Sequence, residues 1–471
     1  MQTIPDLISD VARRYGRRPA LGIRLGLRTE IWSYQDVARG MEAVADRLHA
    51  QGLEPGDRVM VLAPNSPYLV LSMLGAWAAG AILVPVDLRT PVDVMARIRE
   101  QTEPHLIITD LPEPLPGLPA VRPAELAAWR DTPHPPPPSL ARGRGGAGTH
   151  VFPLPHTTRG SGEAEEPHRS CGEGLGEGAS PSPSSGAGVR GLSAGLAEII
   201  FTSGTTGAPK GVMLTHANIL SNVQAAQAAL PIAVGERLLS LLPLSHMMEQ
   251  TAGLLAALNA GATIYYATSR RSSAILAAFQ RHQIGLLVCV PEVLALLLGG
   301  IEREVDRTGR RRVWDAMNRA AERLPMAARP VLFRSVHRRL GGRFRMALCG
   351  GAALTPPVQA SWERLGVRVI QGFGATECAP IITSTRYDHR EPGTVGWPVP
   401  GVEIQLAADG EVLVRGPNVT PGYWHDPEAT AATRVDGWYR TGDLGEWVDA
   451  PLPAVPERGE RAHERALRLR G

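Results

Sequence analysis

A single lysine, Lys210, serves the whole 471-residue chain, although lysine and arginine together number 49. Cysteine is nearly as scarce. The four present, Cys171, Cys289, Cys349 and Cys378, are far apart, and no pair has zinc-ligand or dithiol redox spacing. That excludes a metal knuckle or C-x-x-C centre and makes a reduced, cytoplasmic compartment the expectation. The formal charge is only +3, so the chain as a whole has no strong pull toward nucleic acid. No unbroken apolar run has membrane-spanning length. "LVLSMLGAWAAGAILVPV", residues 69 to 86, comes nearest, but Gly80 and Pro85 divide it. It reads as a buried helix feeding a buried strand, not as a transmembrane span. The N-terminus has no long apolar core and no small-residue cleavage site, so no secretory signal is expected.

What is present is 44% apolar and 20% charged, the composition of a globular protein. Its length implies two or more packed units. Between residues 34 and 110, helix-like and strand-like segments alternate. "YQDVARGMEAVADRLHAQGL" places Val37, Met41, Val44, Ala45 and Leu48 at helical spacing and stops at Gly52. "DRVMVLAP", "AILVPVD" and "HLIITD" are short apolar strands, with a helix starting near Ser66. Such alternation predicts a largely parallel sheet covered on both faces.

The expected organisation is a first α/β unit over 1–132, then a proline-, glycine- and serine-rich insertion over 133–194 expected to be disordered. A second α/β unit follows over 195–391. A small β unit over 392–448 is marked by "VEIQLAADGEVLVRG", which alternates with period two on either side of Asp409-Gly410. The tail, 449–471, shows neither a strand nor the start of a further domain.

The chemistry concentrates at "FTSGTTGAPKGVMLTH", residues 201 to 216. It follows an apolar strand, and its glycines let main-chain N–H groups approach an anion. Thr202, Ser203, Thr205 and Thr206 add hydroxyl donors, and Lys210 adds positive charge. A Walker motif would place glycine just before the lysine and a hydroxyl residue just after it. Here Pro209 and Gly211 stand there, so the stretch reads as a phosphate clamp of a different type. A Ser245–His246 hydrolase pair is not supported, because no G-x-S-x-G elbow is present.

This stretch resembles the phosphate loop of the adenylate-forming, AMP-binding superfamily, which includes acyl-CoA synthetases. "LPLSHMMEQTAG" at 242–253, "LCGGAAL" at 348–354, "QGFGATECAP" at 371–380 and "GWYRTGDLG" at 437–445 follow in that superfamily's order. The resemblance implies the α/β fold of its large N-terminal domain: two mainly parallel sheets sandwiched by helices, with a small antiparallel β subdomain. It implies ATP, Mg²⁺ and coenzyme A as cofactor and co-substrates. Thr202 to Gly207 (Gly204 and Gly207 included) and Lys210 would hold the β- and γ-phosphates. Thr376 and Glu377 match the threonine–glutamate pair, Glu377 being the Mg²⁺ ligand. Gly351, Ala352, Gln371, Gly372 and Phe373 would flank the adenine, and Asp443 would accept the ribose hydroxyls. His246 would stand near the acyl carboxylate.

Within the superfamily the chain is most similar to the long-chain fatty acyl-CoA synthetase branch. Small residues at Gly374 and Ala375 would admit a slim chain, and Met247 and Met248 either line an adaptable wall or fill the core. The resemblance implies activation of a fatty acid to acyl-AMP and then acyl-CoA. Transfer to a carrier protein, and a non-catalytic nucleotide- and acyl-binding role, remain as alternatives. The superfamily's C-terminal domain carries a second catalytic lysine. No lysine follows Lys210 in this sequence, so the expectation is that this domain is absent here. The arginines from Arg303 to Arg345 read as a solvated helical face, with a peripheral contact to anionic lipid as the competing reading.

Overall fold

The computed structural model describes residues 2–111, 115, 117–127, 195–203, 209–450 and 465–470. The insertion over 133–194 and the clamp residues Gly204, Thr205, Thr206 and Gly207 lie outside the described residues.

Local sequence signals decide where the first helices begin. Thr3 and Asp6 form a capping box at the start of Ile4–Tyr15, as do Ser33 and Asp36 at Tyr34–Ala50. In the second helix Val37, Met41, Val44, Ala45 and Leu48 are all buried, as their spacing predicts. The apolar run from residue 69 divides as expected. Ser66 caps the helix Pro67–Ala78, Gly80 turns the chain at φ +80°, and the strand Ile82–Pro85 follows. Gly75 lets the second and third helices approach closely, since a Cβ there would lie 2.3 Å from Val44 Cγ1.

Two large sheets form the body. The first runs, edge to edge, Gly422–Tyr423, Pro209–Thr215, Leu196–Ser203, Ile82–Pro85, Arg58–Leu62, Leu106–Thr109, Ala120–Val121. Its last five strands are parallel, and the other two add antiparallel. The second sheet has nine strands. Its parallel centre orders Arg368–Gly374, Met346–Cys349, Leu286–Cys289, Arg237–Ser240, Thr263–Tyr266 and Pro19–Leu25. The main core lies between the sheets, where Ile4, Leu74, Leu83, Leu214, Leu255 and Leu286 are fully buried. Each such side chain contributes about 1.5–3 kcal/mol of apolar burial. Helix-sandwiched parallel sheets are therefore present as expected, with antiparallel strands at their edges.

The sheets do not follow the chain-order units. Pro19–Leu25 and Arg28–Ser33 join the second sheet, whereas Leu196–Ser203 and Pro209–Thr215 complete the first. A division at residues 132 and 195 thus separates strands that share a ladder. The apolar strands carried no mark of which partner they pair with.

The small antiparallel sheet contains the expected hairpin, Glu403–Leu406 with Glu411–Arg415. The reading of the tail as strandless is corrected. Arg465–Leu469 pairs antiparallel along Trp438–Asp449, from Gly445↔Leu469 to Asp449↔Arg465. Ala466 and Leu467 are fully buried, and this apolar pair in an otherwise arginine-rich segment is what docks the strand. The expectation about cysteines also needs an addition. Cys289 and Cys349, sixty residues apart in sequence, stand in register on neighbouring strands as buried free thiols.

Candidate active site

Lys210 enters the site through strand pairing. It stands opposite Thr202 where the hairpin Leu196–Ser203/Pro209–Thr215 begins. On its other side Tyr423 pairs with Val212. Residues two apart on a strand share a face, so Lys210 and Tyr423 are diagonal neighbours. The lysine Nζ lies 5.5 Å from the centre of the Tyr423 ring. Gly211 permits this crowding, because a Cβ there would meet Ile199 Cγ2 at 2.8 Å.

Glu377 arrives from the opposite direction, on the short 3-10 turn Thr376–Cys378. The bend before it demands glycine: a Cβ on Gly374 would lie 1.9 Å from the Pro380 carbonyl oxygen. Thr420 N–H donates to the Glu377 carbonyl at 2.7 Å, and the Tyr423 hydroxyl donates to Glu377 Oε1 at 2.9 Å. Burial, reinforced by the Glu377 charge, pushes the Tyr423 pKa up, so the phenol remains a donor at neutral pH. Tyr439 is buried, and burial raises its pKa as well.

The Ser245–His246 turn opens the helical stretch Glu249–Leu255, which runs between the two sheets. The Thr251 hydroxyl donates to the Ala379 carbonyl at 3.0 Å, joining this stretch to the Glu377 turn. Met248 lies against the adenine-loop segment, with its Sδ 3.2 Å from where a Gly350 Cβ would stand. His246 itself faces elsewhere. Its Nε2 is 3.5 Å from Asp87 Oδ2, and its side chain is 55% exposed. Arg89 bonds both oxygens of Asp87, at 3.0 and 2.9 Å, and holds that carboxyl down at about 2. Beside this pair lies a cavity of about 520 Å³, lined by Val61, Leu69, Met73, Leu241 and Leu244 with Arg89 and Arg270. It sits at the carboxyl ends of strands from both sheets, where ligands of open α/β sheets collect.

Asp443 is exposed on the strand Trp438–Asp449, four residues beyond Tyr439, and its N–H donates to Thr441 Oγ1 at 3.1 Å. The turn before it is fixed by Glu411. Glu411 Oε1 accepts from Gly442 N–H at 3.0 Å, and Oε2 accepts from Arg440 Nε and Nη2 at 2.8 and 2.6 Å. Gly442 has φ +77°, as the turn requires.

Of the adenine-loop residues, Gly351 and Ala352 are exposed, with Gly351 at φ +80°. Gln371 is buried, its N–H donating to Thr385 Oγ1 at 2.9 Å. Phe373 is half-buried and packs toward the small-sheet cluster around Val395 and Val412. Thr202 and Thr376 are also half-buried. The structure thus gathers Lys210 and Glu377 through Tyr423, and ties the 248–251 segment to the Gly350 and Ala379 backbones. It leaves His246 paired with Asp87, and Asp443 on an exposed turn. Sequence reasoning missed Tyr423, Tyr439, Glu411 and Asp87. Only "GYW" at 422–424, aromatic after glycine, offered a signal.

The AMP-binding enzyme family matches residues 8–424. This chain belongs to the AMP-binding enzyme family. It is 33% identical to the long-chain-fatty-acid–CoA ligase FadD15 of Mycobacterium bovis over 267 residues, covering 53% of this chain and 44% of that protein. The chain therefore spans less than half the length of that curated relative. It is 26% identical over 427 residues to the feruloyl-CoA synthase of Amycolatopsis sp, covering 88% of this chain and 70% of the relative. The inhibitor-bound N-terminal domain of FACL13 from Mycobacterium tuberculosis superposes with a TM-score of 0.69 at 20% identity, covering 100% of both chains. That likeness establishes the fold: two helix-sandwiched sheets arranged as in the FACL13 N-terminal domain. No helix among the described residues is long and apolar enough to cross a membrane.

Proposed function

We propose that this AMP-binding chain carries the acid-activating site of an ATP-dependent, AMP-forming ligase for a fatty acid, with coenzyme A as the thiol acceptor. In the first step a carboxylate oxygen attacks the α-phosphorus and pyrophosphate leaves with the bonding electrons. In the second, a thiol attacks the acyl carbon and AMP leaves. Two anions must meet in the first step, so catalysis is mainly charge neutralisation and alignment. The observation that carries the reading is the convergence of Lys210 and Glu377, from two separate motifs, on Tyr423.

Lys210, with the Thr202 and Ser203 end of the hairpin, would neutralise the β- and γ-phosphates. Glu377 fits Mg²⁺, which takes one or two carboxylates and leaves its other positions to water and substrate phosphates. Among the described residues no group of three or more His, Cys, Asp or Glu side chains is placed for a metal, so phosphates would complete the shell. Bound there, the ion would offset charge on the departing pyrophosphate. Asp443 on its exposed turn would accept from the ribose hydroxyls, with Gly351, Ala352 and Phe373 flanking the adenine. His246, held by Asp87, would stand between the acyl carboxylate and the cavity. The aliphatic walls of that cavity, Val61, Leu69, Met73, Leu241 and Leu244, fit a slender apolar chain.

The test is pyrophosphate release with ATP·Mg²⁺ and palmitate, run beside ferulate and a no-acid blank. Palmitate-dependent release that exceeds the ferulate rate supports the reading. Release that ignores the acid, or that Lys210→Ala leaves unchanged, defeats it. Chromatography of the products with coenzyme A and with a carrier protein present identifies the acceptor.

A further inference from the structure

The four helices between Pro291 and Arg339 cover one face of the nine-stranded sheet, and their outer surface has a charge unlike the rest of the chain. Residues 299–345 hold thirteen arginines against five carboxylates, a formal +8 in a chain whose total is +3. Only four of the thirteen have a carboxylate within 4 Å among the described residues: Arg307, Arg311, Arg339 and Arg345. The others face solvent unneutralised or, like Arg329, bond backbone carbonyls.

Helix Arg311–Glu322 shows how the surface is built. Trp314 and Ala321 are buried seven residues apart and define its inner face. At 100° per residue Arg312, Arg319 and, just past the helix end, Arg323 fall on the line opposite them. No acid stands on that line. Asp315 and Glu322 lie to one side, and Glu322 is paired with Arg364. Exposed aliphatic side chains stand among the arginines: Val313 is 58% and Val331 75% exposed. Within the segment every aromatic ring is turned inward, Trp314, Phe333 and Phe344 being 8%, 0% and 1% exposed.

We propose that this helical face docks the enzyme on an anionic lipid surface. Guanidinium forks match phosphodiester geometry and are weakly hydrated, so they settle at a headgroup layer. The two valines can enter the acyl boundary between them, as interfacial aliphatic side chains do. Nucleic acid carries the same phosphate chemistry, but proteins that bind single strands use exposed aromatic rings as stacking platforms, and here none is exposed. The charge complementarity and the two exposed valines, for which a duplex backbone has no use, together select the lipid surface.

Co-sedimentation with phosphatidylcholine vesicles, with and without phosphatidylglycerol, tests this at low and high salt. The protein should pellet with the anionic vesicles at low salt, be released at high salt and ignore the neutral ones. The triple variant Arg312→Gln, Arg319→Gln, Arg323→Gln should raise the lipid needed for half-binding by on the order of 100-fold, each surface charge being worth about fivefold. Val313→Ser with Val331→Ser, which removes the apolar side chains without adding charge, should weaken vesicle binding while leaving any association with duplex DNA unchanged. All five positions are exposed, so the fold tolerates the changes; unaltered thermal melting confirms that. The proposal falls if neutral vesicles bind equally, if the triple variant binds like the parent, or if duplex DNA competes and the valine variant behaves like the parent on vesicles.

Discussion

The Tyr423 hydroxyl donates to Glu377 Oε1 at 2.9 Å, on the same ring that stands 5.5 Å below the Lys210 ammonium. One phenol thus spaces an acid and a base of opposite charge so that they do not collapse into an ion pair. In the proposed function the two charges would meet a phosphate and its counter-ion. Tyr423→Phe keeps the ring and removes the donor. A hydrogen bond to a charged group is worth about 1.5–3 kcal/mol, so pyrophosphate release should slow by roughly 10- to 100-fold. Tyr423→Leu, which also removes the ring beneath Lys210, should be slower still. Equal rates for Phe and wild type would show that the hydroxyl does not orient the acid.

Because Lys210 is the only lysine, it can be read directly. An amine-selective acylating reagent should give one internal adduct besides the N-terminal amine, and mass spectrometry locates it without ambiguity. ATP·Mg²⁺ should protect Lys210 from the reagent, while the N-terminal amine reacts unchanged. Labelling of Lys210 at the same rate with and without nucleotide would remove it from the phosphate site.

Much of this site was legible because glycine, proline and the charged residues at 209–211 and 374–377 are themselves the geometric constraints. Gly211 and Gly374 are where a Cβ would strike neighbouring atoms, so the motif letters and the tight turns are the same fact. The second and third helices were legible for a similar reason: the apolar spacing of the one and the Ser66 cap of the other are local. What the sequence hid was pairing. Tyr423 reaches Glu377 only because Gly422–Tyr423 adds to the edge of a sheet whose other strands lie at least two hundred residues earlier. Glu411 supports the turn before Asp443 from a neighbouring strand, and Arg465–Leu469 docks through two apolar side chains in a charged segment. Contacts of that kind leave no periodic trace.

The turn before Asp443 gives a paired prediction. Asp443→Ala should cost roughly 2–3 kcal/mol of ATP binding if its carboxylate accepts from the ribose hydroxyls. The cost should nearly vanish with 2′,3′-dideoxy-ATP, which has no hydroxyls to donate. Glu411→Gln should reproduce part of the loss, because it weakens the bonds that hold Arg440 and Gly442 in place. Calorimetry with both nucleotides separates the cases. An equal loss for ATP and its dideoxy analogue would mean that Asp443 does not meet the ribose.

Two acids buried between the sheets predict how stability responds to pH. Glu198 accepts from Gln250 Nε2 at 3.0 Å, and Glu249 lies three residues beyond His246; both are 1% exposed or less. Burial pushes each carboxyl up to about 8, from an ordinary value of 4.5. The folded state therefore holds protons that the unfolded chain releases near pH 4.5. Their contribution is complete below that pH and is lost as pH rises toward 8, so stability falls across this window. Glu198→Gln keeps the shape and cannot ionise. Its melting temperature should decline less between pH 5 and pH 8 than that of the wild type, and the two curves should converge toward the acid end. Gln250→Ala should leave the slope in place, since the glutamine bond only opposes the shift that burial causes. Parallel melting curves for wild type and Glu198→Gln across that range would show that Glu198 is ionised in the folded protein, and that a compensating partner for its charge exists between the sheets.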